Sequence, residues 1–492
     1  MNEKKIIQIF LFFNFLIFFY GYLEGFFKPY WFDEVLTISL AENIKNLSIY
    51  EIFTQDTHSP FFYSILFLFI EILNFLELKN SDYLIYLRLI NLISIIPIYF
   101  SYKILKENLA NINLEITFLL FISSYFFFFF SLDLRMYFIL LSFSLLINVI
   151  NINNSLETSH KFLFLISSII LSMLHVFGLT ISVSILLYRF LINFYFKNYK
   201  NCKIDFLFTI ILLIIFILFY GPSLVDSENM QMFSWVKNNL WYYRIFIEWT
   251  LNSFISLFFF SFFILFNLRS NFFNLNILNK FFKSDFFKLS SRAIFPSIIL
   301  MITTLMISFV FMPVITYRNL VVILPNIILV NGLLGFYFLK IKKSKLIILS
   351  FLTLITFINF NSYYQSMIKS EQNIKWVIDN TFEKNCSDVP VYYNDAGRKS
   401  FLNLYVKKTV QVYAIYSRPI ENLSDLNPDE FIRNHKKFKN CKTIIFSFHI
   451  SKLEDYIKEL NKKNGIDFII DYAPNVKTKN SKSGAIVKIK MN

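Results

Sequence analysis

The chain has 492 residues, of which 56% are apolar and only 16% charged, with a mean hydropathy of +0.53. That balance excludes an ordinary soluble globular domain, which would carry more charge and more glycine-rich turns. A net charge of +15 does not point to nucleic acid here, because in so apolar a chain excess Lys and Arg mark cytoplasmic loops facing anionic lipid. The cysteines Cys202, Cys386 and Cys441 form no CxxC spacing, so neither a zinc site nor a redox motif is indicated.

In chain order, Lys4 and Lys5 precede the apolar run Ile6–Tyr22 and set the N-terminus in the cytoplasm. No small-residue cleavage site follows the run, so it reads as an uncleaved first helix and not as a signal peptide. Residues 24–83 then form the first outer loop. Within it Phe61–Leu78 is apolar enough to span, but a crossing there would turn Lys197, Lys200 and Lys203 outward. It is therefore read as a juxtamembrane helix lying in the interface. The remaining spans are expected at 85–104, 112–131, 136–151, 162–175, 178–196, 204–220, 246–267, 293–312, 320–339 and 346–361. In this frame Lys103, Lys106, Lys161, residues 189–203, residues 269–292 and Lys340–Lys345 all face the cytoplasm. The chain is thus expected to be an α-helical polytopic membrane protein of about eleven transmembrane helices plus juxtamembrane helices, set in a bacterial inner membrane.

Residues 1–361 make the transmembrane domain, and 362–492 are expected on the periplasmic side. The later part is more charged, with period-two apolar runs at Val389–Tyr393, Thr409–Ala414, Thr443–Phe448 and Phe468–Tyr472. Helical stretches near 371–382, 429–438 and 452–462 complete the pattern of a small C-terminal α/β extramembrane domain. Cys386 and Cys441 each precede a strand, which leaves open a disulfide or two unpaired thiols.

The expected topology gathers polar residues at the outer face. The first outer loop holds Trp31-Phe32-Asp33-Glu34 and Asp56-Thr57-His58-Ser59-Pro60, and the second holds Asp133-Leu134-Arg135-Met136-Tyr137. His175 ends one span, and Arg318 lies between two others. Ionisable groups at a membrane boundary are costly to desolvate. Two carboxylates and two arginines suit one reaction. A carboxylate takes the proton of an acceptor hydroxyl attacking a sugar C1, and guanidinium forks hold the phosphate that leaves. Plainer roles stand beside these. Asp33 and Glu34 suit the first turn of a helix, and Asp56 suits the cap of the helix after Pro60. Asp133 and Arg135 suit a salt bridge, His175 a satisfied buried site, and Arg318 a snorkelling position. Arg88, opening the second span, suits a lipid phosphate.

The order Asp-Glu after the first span, then Asp-x-His-x-Pro before an amphipathic helix, resembles the first outer loop of GT-C glycosyltransferases. The nearest pattern is the protein O-mannosyltransferase and lipid A aminoarabinose transferase group. Asp133-x-Arg135-x-Tyr137 is similar to that group's second outer loop, and His175-Val176-Phe177-Gly178 to its His-aromatic-Gly turn. Tyr317-Arg318 with Pro325 resembles its Arg-Tyr segment with the pair reversed, and 372–380 with Trp376 the start of its outer domain. The resemblance implies a sugar transferase with a polyprenyl-phosphate donor and a glycan, lipid or protein acceptor, needing no metal or other cofactor. It implies Asp33 as base with Glu34 in support, and Asp133 as a second acidic group. Arg135 and Arg318 would contact the donor phosphate, and Asp56, His58, Tyr137 and His175 would line the site. One departure stands out: the family often has His-Pro-Pro where this chain has His58-Ser59-Pro60. The competing function is a transporter or flippase for a lipid-linked glycan, which should show paired repeats with broken helices. No internal repeat is visible.

Overall fold

The computed structural model describes residues 3–26, 28, 32–54, 59–76, 84–109, 112–153, 158–225, 285–310, 318–338 and 342–365, and beyond these five strands and short helical fragments between 376 and 462. The chain divides into two compact units, one of residues 1–22 and 41–360, the other of residues 23–40 and 361–492.

The helices, in order, are α1 (Glu3–Phe26), α2 (Phe32–Asn43), α3 (Ile49–Thr54), α4 (Pro60–Phe75), α5 (Leu84–Leu87), α6 (Ile95–Asn108), α7 (Leu114–Ser123) and α8 (Tyr125–Ser131). They continue with α9 (Tyr137–Asn153), α10 (Thr158–Leu174), α11 (Val176–Tyr195), α12 (Tyr199–Val225), α13 (Asp285–Val310), α14 (Leu324–Phe338) and α15 (Lys342–Tyr363). Two 3-10 segments, Arg88–Ser94 and Asn319–Ile323, lead into α6 and α14. Among the described residues, five helical stretches are long and apolar enough to cross a membrane: Gln8–Phe26, Arg88–Asn108, Val176–Tyr195, Tyr199–Pro222 and Phe287–Ser308. The expected crossing at 246–267 lies outside the described residues.

Local chemistry sets several boundaries. Ser48 and Glu51 form a capping box at α3: the Ser48 N–H and hydroxyl both donate to Glu51 Oε2 at 2.7 Å, and Glu51 N–H donates to Ser48 Oγ at 3.3 Å. These bonds hold the Glu51 carboxyl below its usual range. At α4 the cap is Ser59 and not Asp56. The Ser59 hydroxyl accepts from Phe61 N–H at 3.3 Å, and Pro60 takes the first position, where no N–H is needed. The departure from His-Pro-Pro is thus the substitution of a capping side chain. α4 is 16 residues long, shorter than the roughly 20 a crossing needs, and it buries Phe62, Tyr63, Leu66, Ile70 and Leu73 on one face. The span expected at 112–131 is instead two helices. Ser124 turns extended at ψ 139° and caps α8 by accepting from Phe127 N–H at 3.2 Å.

In the first unit α9 is the central element. Fifteen of its 17 residues are buried, the pattern of a helix enclosed on every side. It packs against α6, α10, α11, α13 and α14. Its polar side chains are used: Ser144 Oγ donates to the Val322 carbonyl at 2.7 Å, and Asn148 Nδ2 to the Ser144 carbonyl at 2.8 Å. At its C-terminal end Asn151 Nδ2 donates to the Arg292 carbonyl (2.8 Å), while Arg292 Nη1 donates to the Ile152 carbonyl (3.0 Å). The guanidinium thereby serves the carbonyls that a helix end leaves open. α1 exposes most of its phenylalanines, yet Asn14 is buried and tied to α15. Its amide donates to Thr353 Oγ1 at 2.7 Å and accepts from Thr356 Oγ1 at 2.6 Å. Gly332 lets α14 approach α7, since a Cβ there would run into Thr117 Oγ1.

In the second unit the strands β1 (Asp388–Tyr393), β2 (Gln411–Ala414), β3 (Thr443–Phe446), β4 (Phe468–Tyr472) and β5 (Ala485–Ile489) form one sheet of order β2-β1-β3-β5-β4. β1 runs parallel to β2 and β3, and β5 pairs antiparallel with β3 and β4. β5 was not marked in the sequence. Cys386 and Cys441 lie outside the described residues.

At the end of the bundle away from Tyr137, Arg189 Nη2 lies 3.1 Å from Asp205 Oδ1, with side-chain exposures of 15% and 0%. Asn193 Nδ2 donates to the other carboxylate oxygen at 2.9 Å. Breaking such a pair leaves a buried charge uncompensated. Arg189→Met is expected to lower stability by about 3–5 kcal/mol, and Arg189→Met with Asp205→Leu to recover most of the loss. Thermal unfolding in detergent of the two variants beside the parent checks this.

Candidate active site

The acidic pair opens α2 in the second unit. Asp33 and Glu34 occupy its first turn, where carboxylates meet the positive end of the helix dipole. They differ sharply in surroundings. Asp33 is partly exposed, and its carbonyl accepts from Thr37 Oγ1 at 2.8 Å. Glu34 is fully buried and lies 3.6 Å from the ammonium of Lys28, itself buried. That ammonium is also 6.0 Å from the centre of the Tyr363 ring, within cation–π range.

The second group belongs to the first unit and is built around the turn between α8 and α9. Asp133 and Arg135 sit in that turn at 2% and 8% exposure. The turn is held from across the fold by Asn91, whose amide donates to the Ser131 carbonyl at 3.0 Å and to the Asp133 carbonyl at 2.9 Å. One carbonyl ends α8 and the other lies in the turn after it, so one side chain fixes the backbone that carries Asp133. The Arg135 guanidinium then lies over the Tyr137 ring at 5.1 Å, and the Tyr137 ring lies 5.9 Å from that of His175. Asp133, Arg135, Tyr137 and His175 are thereby brought into one contiguous group.

His175 is held by its own backbone role. It stands extended between α10 and α11 and caps α11, its Nδ1 accepting from Phe177 N–H at 3.1 Å. An accepting Nδ1 places the proton of the neutral ring on Nε2. Its carbonyl accepts from Gly178 N–H at 2.8 Å. Gly178 is required by close approach, because a Cβ there would strike the Leu171 backbone carbonyl. The His-aromatic-Gly pattern is therefore a helix break with a ring as its cap. Arg318 opens the 3-10 segment Asn319–Ile323, which packs against both α9 and α11, the helices that begin at Tyr137 and after His175. Asp56 and His58 lie outside the described residues.

Two residues escaped the sequence reading. Arg88 does not face lipid headgroups as expected: at 1% exposure it is among the largest fully buried side chains. Asn91 was not noticed at all. Arg88, Asn91 and Ser94 recur every third residue, and in a 3-10 helix positions three apart stack on one face. That spacing inside an apolar run was the available signal. Gly178→Ala is expected to destabilise the chain by about 1–3 kcal/mol through overpacking of the α10–α11 break. A lowered thermal midpoint in detergent is the check, with Gly221→Ala, where an added Cβ meets only an ordinary contact at 3.8 Å, measured beside it.

No protein-family model matches the chain, and no curated protein does. Solved structures do. The crystal structure of ArnT from Cupriavidus metallidurans in the apo state aligns over 98% of this chain and 97% of its own, with a TM-score of 0.50 and 10% sequence identity. At that identity the likeness concerns the fold. The chain's fold is similar to that of ArnT.

Proposed function

We propose that the chain is a membrane glycosyltransferase that moves a sugar from a polyprenyl-phosphate donor to an acceptor at the outer membrane face. The observation that carries the reading is the buried turn Asp133–Arg135 in an ArnT-like fold, with its arginine laid on Tyr137 and its backbone clamped by Asn91. Ionisable groups enclosed in an apolar helical protein are costly, and such positions are functional by default. In this reading the acceptor oxygen bonds to the sugar C1 while the C1–O bond to phosphate breaks. Asp33, with Glu34 in support, receives the acceptor proton. Arg135 and Arg318 take the charge that grows on the departing prenyl phosphate, and Asp133 orients the substrates. Asp56, His58, Tyr137 and His175 line the donor or acceptor site.

Orientation follows from charge. Lys103, Lys106, Lys197, Lys200, Lys203 and Lys288 are exposed at helix ends remote from Tyr137. The positive-inside rule supports reading this end as cytoplasmic and the Asp133 turn as facing the periplasm of a bacterial inner membrane, the side on which residues 362–492 are proposed to lie as well.

Purified protein in detergent, given a pool of bacterial polyprenyl-phosphate sugars and a membrane-lipid extract, should release sugar from the carrier, followed by mass spectrometry. Asp33→Asn is expected to lower turnover by about a hundredfold or more. Arg318→Ala should lower it through loss of phosphate contact. If both variants are folded and turn over as the parent does, the transferase reading fails. Lipid movement across reconstituted vesicles without turnover would favour a flippase instead. Asn91→Leu, which leaves two buried carbonyls unserved, is expected to cost at least about tenfold in kcat. Asn91→Asp should not rescue it, because a carboxylate cannot donate to those carbonyls.

A further inference from the structure

We propose that Lys28 is a positioning residue for Asp33: its buried ammonium pins Glu34 inward at the α1–α2 corner and leaves Asp33 as the carboxylate available for proton transfer. The role given to Asp33 rests on the transferase reading above, whereas the pairing of Lys28 with Glu34 does not.

Consecutive helical residues point about 100° apart, so two adjacent carboxyl groups do not serve one substrate equally. In this chain the burial decides between them, with Glu34 wholly enclosed and Asp33 partly open. A carboxylate enclosed without a counter-charge would give up its ionisation. Lys28 supplies the counter-charge at 3.6 Å, and the Tyr363 ring, 0% exposed, covers the ammonium at 6.0 Å. The backbone places Lys28 where this works: its N–H bonds to the Gly25 carbonyl at 3.4 Å, at the exit of α1, while Glu34 lies in the first turn of α2. The ion pair therefore ties the residue just beyond α1 to the first turn of α2. Thr37, donating to the Asp33 carbonyl at 2.8 Å, fixes the same turn from its other side. Glu34 is thus committed to structure, and its ionised state neutralises Lys28 in place of exchanging protons with substrate.

The test uses the full chain in detergent and four variants: Lys28→Met, Lys28→Arg, Asp33→Asn, and Lys28→Met combined with Glu34→Gln. Infrared spectroscopy without substrate reads the charge state of Glu34, and turnover of the polyprenyl-phosphate sugar pool reads kcat and KM. Lys28→Met should add the absorption of a protonated buried carboxyl and lower kcat by about tenfold or more, with KM for the donor little changed. The double variant, which removes both charges, should lose that absorption and regain most of the turnover. Lys28→Arg should keep the parent's infrared signature. A folded Lys28→Met variant with no new carboxyl absorption and an unchanged kcat overturns the proposal and leaves the transferase reading standing. A folded double variant as inactive as Asp33→Asn also overturns it, because Glu34 would then take part in the chemistry. If the parent itself transfers no sugar, the transferase reading falls, and the infrared comparison still decides the ion pair.

Discussion

The structure depends on one constraint: a charge or polar group enclosed in an apolar bundle needs a partner supplied by the protein itself. Several of the ionisable groups described above answer it, each in its own way. Arg189 is matched by Asp205, Glu34 by Lys28, and Arg292 by the carbonyl end of α9. Arg135 lies on an aromatic face. The same demand governs uncharged groups. Asn91, Ser144, Asn148 and Asn359 all spend their donors on backbone carbonyls, three of these belonging to other elements.

This constraint explains how so apolar a sequence builds a defined polar turn. Irregular backbone at the head of α9 leaves carbonyls that water would otherwise serve, and Asn91 serves them from another element. The His175 ring does the same for α11, accepting an N–H from the first turn of the helix it precedes. Breaks between helices, and not the helices themselves, position Asp133, Arg135 and His175. The long buried helix α9 provides the fixed reference that the breaks share.

Much of this was legible in the sequence. Helices were visible from apolar length, and Asp33, Asp133, Arg135 and Arg318 stood out because charge is scarce around them. The reading failed where the cause was not local. A hydropathy window over 112–131 sees one apolar run, whereas a single extended serine divides it. Arg88 was set at the lipid surface because a window cannot tell a lipid-facing helix side from an enclosed one. Asp56 was a reasonable cap until Ser59, three residues nearer the helix, took the role. The partnership of Lys28 with Glu34 joins a residue outside α1 to the first turn of α2, so no helical periodicity could have announced it.

The hook between α1 and α15 bears on how the molecule is made. Asn14 leaves the ribosome more than three hundred residues before its partners Thr353 and Thr356. Throughout that interval the two threonine contacts are unmade, and within its own helix the Asn14 amide bonds the Phe10 carbonyl at 2.8 Å. α1 therefore carries an unfinished polar contact, which is completed only when α15 arrives. In chemical terms, the arrival of α15 closes a bond that α1 had left open.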